Sequence, residues 1–162
     1  MQLTGKKVNF LGDSITQGHG TSASEHIYLN VLEKRCGFAC VRNYGIGGTR
    51  IAPVTDRQKC PDFGPSFVER YQQMDDDADL IVVFGGTNDF GHGDAPMGDP
   101  ADRDIHTFYG ALNLLMEGLI EKYPQADIVF MTPLQRIECE QPGQFSGYRL
   151  VEYADAIMKT GR

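Results

Sequence analysis

The segment Gly12-Asp13-Ser14-Ile15-Thr16-Gln17-Gly18 follows Lys7-Val8-Asn9-Phe10-Leu11, a run that reads as a buried strand, and leads into a helix. A serine at the carboxyl end of a parallel strand stands in the crevice where open α/β sheets bind ligands. Two more polar blocks, Asn43-Tyr44-Gly45-Ile46-Gly47-Gly48-Thr49 and Gly85-Gly86-Thr87-Asn88-Asp89, also close strand-like runs. Acyl transfer needs a nucleophile, a base and donors for the oxyanion. Ser14 suits the first role, and the helix after it brings its own amide toward the reaction centre. Gly48 suits the donor role, because no side chain separates its amide from a substrate oxygen; Gly47 is the alternative one residue away. Asn88 donates from a side chain that never ionises.

Other chemistries fit the spacing less well. Thr16 stands where a Gly-x-Ser-x-Gly elbow needs its second glycine. Gly45-x-Gly47-x-x-Arg50 lacks the last glycine of a dinucleotide fingerprint, and no Gly-Lys-Ser/Thr P-loop occurs. Cys36, Cys40, Cys60 and Cys139 form no zinc pattern, and they read as reduced structural or surface thiols. The acidic cluster Asp75, Asp76, Asp77 and Asp79 lacks the alternating ligands of a calcium loop and reads as a solvated helix end. No metal and no cofactor are expected.

Together the three blocks resemble the SGNH (GDSL-type) serine hydrolases, with Ile15 where the older family name has leucine. The resemblance runs from Val8 to Pro133. It implies a metal-free ester hydrolase on a three-layer α/β/α sandwich with a parallel, flavodoxin-like sheet. It assigns Ser14 as nucleophile and the Ser14 and Gly48 amides and the Asn88 side chain as oxyanion donors. The fourth family residue, a histidine in a C-terminal Asp-x-x-His, is missing. His19, His26, His92 and His106 all lack an aspartate three positions earlier. His106 falls at a helix start and His26 faces solvent, whereas His19 and His92 lie in loops on the active rim. The chain therefore reads as one domain, 1–162, without its C-terminal segment and with low activity by itself.

Asp13, His19, Arg50, Asp89 and His92 are candidates for substrate contact, with Asp89 also able to buttress its loop. The polar rim suits a small acyl or acetyl ester, including one on carbohydrate. A non-catalytic carbohydrate- or ligand-binding module on the same fold is the alternative. The coding sequence beyond Arg162 would separate the two.

The elements that must hold these loops follow from periodicity. Strands are expected at about 6–11, 39–44, 80–84 and 127–131, the last of them lacking the fifth strand that would follow. Ser22-Ala23-Ser24-Glu25 and Ser66-Phe67-Val68-Glu69 match capping boxes. The first opens a helix with Ile27, Val31 and Leu32 on one face and Gly37 as its cap. The second buries Val68, Tyr71 and Met74. Polar loops cover about 50–65 and 90–106. A helix from Thr107 to Tyr123 presents Phe108, Leu112, Leu115 and Leu119, and a last one runs from Phe145 to Lys159. Strand–helix alternation with near-continuous apolar strands argues for a parallel sheet covered on both faces.

At 162 residues, 41% hydrophobic and 23% charged, the chain suits a single globular domain. A net charge of −7 without basic clusters argues against nucleic acid and anionic membrane surfaces as partners. The opening Met1-Gln2-Leu3-Thr4-Gly5-Lys6-Lys7 lacks the apolar core of a signal peptide, so a cytoplasmic location is expected. Sequence says nothing of oligomeric state.

Overall fold

A computed structural model of the chain describes residues 2–161. Four strands, β1 (Lys7–Gly12), β2 (Cys40–Gly45), β3 (Leu80–Phe84) and β4 (Asp127–Met131), form one parallel sheet in the order β2-β1-β3-β4. Its helices are α1 (Ser14–Gln17), α2 (Tyr28–Cys36), α3 (Phe67–Arg70), α4 (Thr87–His92), α5 (Phe108–Lys122) and α6 (Leu150–Thr160).

β3 is apolar throughout because both its faces are covered. Leu80 and Val82 join Val8 and Phe10 of β1 against Leu29 of α2. Ile81 and Val83 join Leu11 against a larger cluster contributed by α3, α5 and α6. On α5 the expected stripe of Phe108, Leu112, Leu115 and Leu119 is fully buried. Burial of each such side chain contributes about 1.5–3 kcal/mol, which fixes the helix on the sheet. Thr107 caps it by accepting from the Gly110 amide at 3.1 Å. β4 is less enclosed: its residues are half-buried and Val129 is exposed.

Three helix boundaries differ from expectation. The Ser22–Glu25 box does not form, since the Ser22 hydroxyl instead meets His26 Nδ1 at 2.8 Å. Residues 24–26 make a single 3-10 turn, Ile27 is extended, and α2 begins at Tyr28. At the other end α6 begins at Leu150 rather than Phe145, because Gly147 takes a left-handed φ of 77° and the Gly143 amide closes a turn on the Tyr148 carbonyl. The segment from Thr87 to His92 is helical where a loop was expected from residue 90. The Ser66–Glu69 box does form its reach-back half: the Glu69 carboxylate accepts from the Ser66 amide at 2.7 Å. Among the described residues no helix is long and apolar enough to cross a membrane.

Candidate active site

β1 delivers Ser14 to the carboxyl edge of the sheet as the first residue of α1. Asp13 caps that turn, its carboxylate accepting from the Ile15 amide at 2.9 Å. The end of β2 lies directly on α1. A Cβ on Gly45 would sit 2.7 Å from Gln17 Cα, so this approach requires glycine. Past it, Gly47 faces the serine: a Cβ there would lie 3.8 Å from Ser14 Cβ. Gly48 adopts a left-handed φ of 77°, and its Cα is covered by the Phe63 ring.

β3 ends at Phe84 and, through Gly85 and Gly86, starts α4. Asn88, in its first turn, donates from Nδ2 to the Thr49 carbonyl at 2.9 Å. One Nδ2 hydrogen is used in this bond, which leaves the second to donate elsewhere. Asp89 is buried and accepts from the Ile51 and Ala52 amides at 3.0 and 3.1 Å. Burial pushes its carboxyl up to about 6, against the pull of those amides and of Arg50. The structure thus joins the Ser14, Gly48 and Asn88 loops through the segment Gly47–Ala52.

Arg70 ties the same loops from beneath and was missed in the sequence. Its Nη1 donates to the Tyr44 carbonyl at 2.6 Å, and its Nη2 to the Gly12 carbonyl at 2.7 Å and to Thr49 Oγ1 at 3.3 Å. Burial lowers its guanidinium to about 10, partly offset by the negative charge of Asp13. The available signal was its spacing: Arg70 lies three residues after the buried Phe67, on the covered side of the helix, and stacks over that ring at 4.9 Å.

The expected substrate contacts divide. Asp13, Arg50 and Asp89 face inward, only 1%, 4% and 4% exposed, with polar atoms engaged by the chain itself. Arg50 donates to His92 Nδ1 at 2.8 Å, to the His92 carbonyl at 3.2 Å and to the Pro61 carbonyl at 3.0 Å. An arginine can only donate, so His92 Nδ1 must be the bare acceptor nitrogen and Nε2 carries the proton. Burial, followed by the Arg50 charge, holds His92 below the usual imidazole range. His92 is half-buried and packs on Phe63, with ring centroids 5.1 Å apart. His19 is exposed, and only its backbone amide reaches the Ser14 carbonyl, at 2.8 Å. Among the described residues no imidazole hydrogen-bonds the Ser14 hydroxyl, and no cluster of three or more His, Cys, Asp or Glu side chains could hold a metal.

Residues 10–162 match the family model described as GDSL-like Lipase/Acylhydrolase. A protein of Lactobacillus plantarum with a solved structure is 35% identical, covering 97% of this chain and 72% of its own, with a TM-score of 0.78. A second crystal structure is 34% identical over 99% of this chain and 74% of its own, with a TM-score of 0.84. A mutant of an acetyl-xylooligosaccharide esterase from Geobacillus is 20% identical over 99% of this chain and 74% of its own, and its TM-score of 0.60 shows a shared fold. Among curated proteins none matches.

Proposed function

Because the chain belongs to the GDSL-like lipase/acylhydrolase family, we propose that it is a serine ester hydrolase acting on small acyl or acetyl esters, including those of carbohydrates. The observation that carries this reading is the meeting of three strand-end loops: Gly47 beside Ser14, and Asn88 bonded to the residue after Gly48. Ser14 Oγ attacks the ester carbonyl. The carbonyl oxygen becomes an oxyanion held by the Ser14 and Gly48 amides and the free Asn88 Nδ2 hydrogen. Collapse expels the alcohol and leaves an acyl-Ser14, which water hydrolyses.

Acylation needs a base that takes the Ser14 proton and passes it to the leaving alcohol, and deacylation needs the same base for the attacking water, with a proton returned to Ser14 Oγ. We place that base in an Asp-x-x-His carried by chain beyond Arg162, in which histidine takes the proton and aspartate orients and stabilises the imidazolium. Two observations support this assignment. His92 Nδ1 is occupied by Arg50, and β4 leaves an open flank where a fifth strand would pair. Between α5, β4 and α6 lies a groove of about 580 Å³ lined by Met116, Ile120, Ile128, Phe130 and Ile157. The acetyl-ester preference also draws support from the fold shared with the acetyl-xylooligosaccharide esterase.

The test compares 4-nitrophenyl acetate turnover and Ser14 phosphonylation in the 162-residue chain and in a chain extended along its reading frame. Turnover by the extended chain, abolished by Ser14→Ala, is expected. Equal turnover by both lengths would place the base within these residues, with His92 the first to mutate. A Ser14→Ala chain with normal turnover would overturn the covalent mechanism. A phosphonate-inert serine in both lengths would favour a binding module.

A further inference from the structure

Phe63 occupies a position that the proposed chemistry does not use. Its ring is half-exposed at 50%, yet it packs against two neighbours, Gly48 and His92. It lies on Gly48: a Cβ at that glycine would be 2.7 Å from Phe63 Cδ2 and 2.8 Å from Phe63 Cβ. It packs on the His92 imidazole, tilted by 57°. The loop that carries it is fastened to the Gly48 segment through Arg50, whose Nη2 binds the Pro61 carbonyl. The Arg50 carbonyl in turn accepts from the Phe67 amide at 2.8 Å. Asp62 closes the local turn by accepting from the Gly64 amide at 3.1 Å and pairs with Arg57 at 3.2 Å.

We propose that Phe63 sets the acyl specificity of the site, standing as a fixed wall that admits acetyl and rejects longer acyl chains. This rests on the esterase reading above. If the Gly48 amide receives the oxyanion, that oxygen lies about 3 Å from the amide and the reacting carbon one bond farther, which brings the acyl substituent near the ring that covers Gly48. The wall is apolar: a phenyl ring against a neutral imidazole and a glycine. An acyl chain meets such a wall more favourably than a hydroxylated alcohol does. His92 and Arg50 act as positioning residues, one bracing the ring and the other bracing both the imidazole and the Pro61 carbonyl.

The experiment measures kcat/KM of the extended chain of the preceding test for 4-nitrophenyl acetate, butyrate and hexanoate, with binding of methyl-, butyl- and hexylboronic acid as an independent readout. The proteins compared are wild type, Phe63→Leu and Phe63→Ala. One methylene of misfit in a pocket discriminates by about 10–200-fold. Phe63→Ala is therefore expected to raise the hexanoate-to-acetate ratio at least tenfold and to tighten hexylboronic acid binding. Phe63→Leu should fall between, and because the ratio is taken within each protein, a loss of turnover common to all three esters leaves it unmoved. An unchanged ratio with turnover intact overturns the wall and leaves the esterase reading standing. So does an equal rise in KM across all acyl lengths, which would make Phe63 a platform for the alcohol. Absence of ester turnover and of boronate binding in the wild type overturns both readings together.

Discussion

Arg70 donates to the carbonyl of Gly12, 58 residues earlier in the chain, at 2.7 Å, just below the turn that presents Ser14. The guanidinium also holds Tyr44 at the end of β2 and Thr49 beside Gly48. One buried cation therefore sets the relative positions of two proposed catalytic loops. Asp13 lies close enough to stabilise its charge.

Replacing Arg70 with methionine should cost about 3–5 kcal/mol, because Asp13 loses its counter-charge and two strand-end carbonyls lose their donor. Urea unfolding would show this as a lower midpoint. Arg70→Lys keeps the charge but cannot span both carbonyls, so it should recover stability better than it recovers turnover. Full recovery of turnover by lysine would mean that the fork geometry does not position the site.

Asn88→Ala should lower kcat by roughly 10²–10³ in an active chain while the fold persists, as for loss of one oxyanion donor. Steady-state kinetics with a 4-nitrophenyl ester and a circular dichroism spectrum together check this. Since Asn88 also binds the Thr49 carbonyl, Asn88→Asp keeps a side chain of the same shape but removes the donor, and should be similarly impaired.

Asp89 gives a pH signature. Its folded-state carboxyl is raised to about 6 by burial, so the native state holds a proton that the unfolded chain releases near pH 4. Its contribution is fully present below about pH 4 and is lost as pH rises through about 6, a swing of roughly 3 kcal/mol. Asp89→Asn cannot titrate, so the stability difference between variant and wild type should shift in the variant's favour across that window. His92 moves oppositely: its lowered value favours the fold above about 6.5, an advantage lost as pH falls through that lowered value. Urea unfolding of both proteins from pH 4 to 7 isolates the Asp89 contribution, since His92 is common to both. A difference independent of pH would show that Asp89 stays ionised throughout.

Gly48→Ala should damage the site in two ways. A left-handed residue with a Cβ costs about 1–2 kcal/mol, and the new methyl would displace Phe63. Turnover should fall, and an accompanying change in acyl-length preference would connect the glycine to the ring. An unaltered preference would separate them.

The four strands were legible in the sequence to within one residue, because parallel strands buried on both faces leave continuous apolar runs such as Leu80–Phe84. The α5 stripe was legible for the same reason, since burial imposes period on composition. The order of the three polar blocks sufficed to put Ser14, Gly48 and Asn88 forward together. What the sequence could not decide was the direction in which each polar side chain turns. Asp13, Arg50 and Asp89 share the composition of a solvent-facing rim, yet all three turn inward, because the strand-end carbonyls and amides there need partners that water cannot supply once the loops close. Arg70 and Phe63 had no motif to announce them. Their roles come from contacts between segments distant in sequence: Arg70 with Gly12 and Tyr44, and Phe63 with Gly48 and His92. Only the packed tertiary structure brings those segments within reach, since a residue's local sequence carries no record of the partner that folding will place beside it.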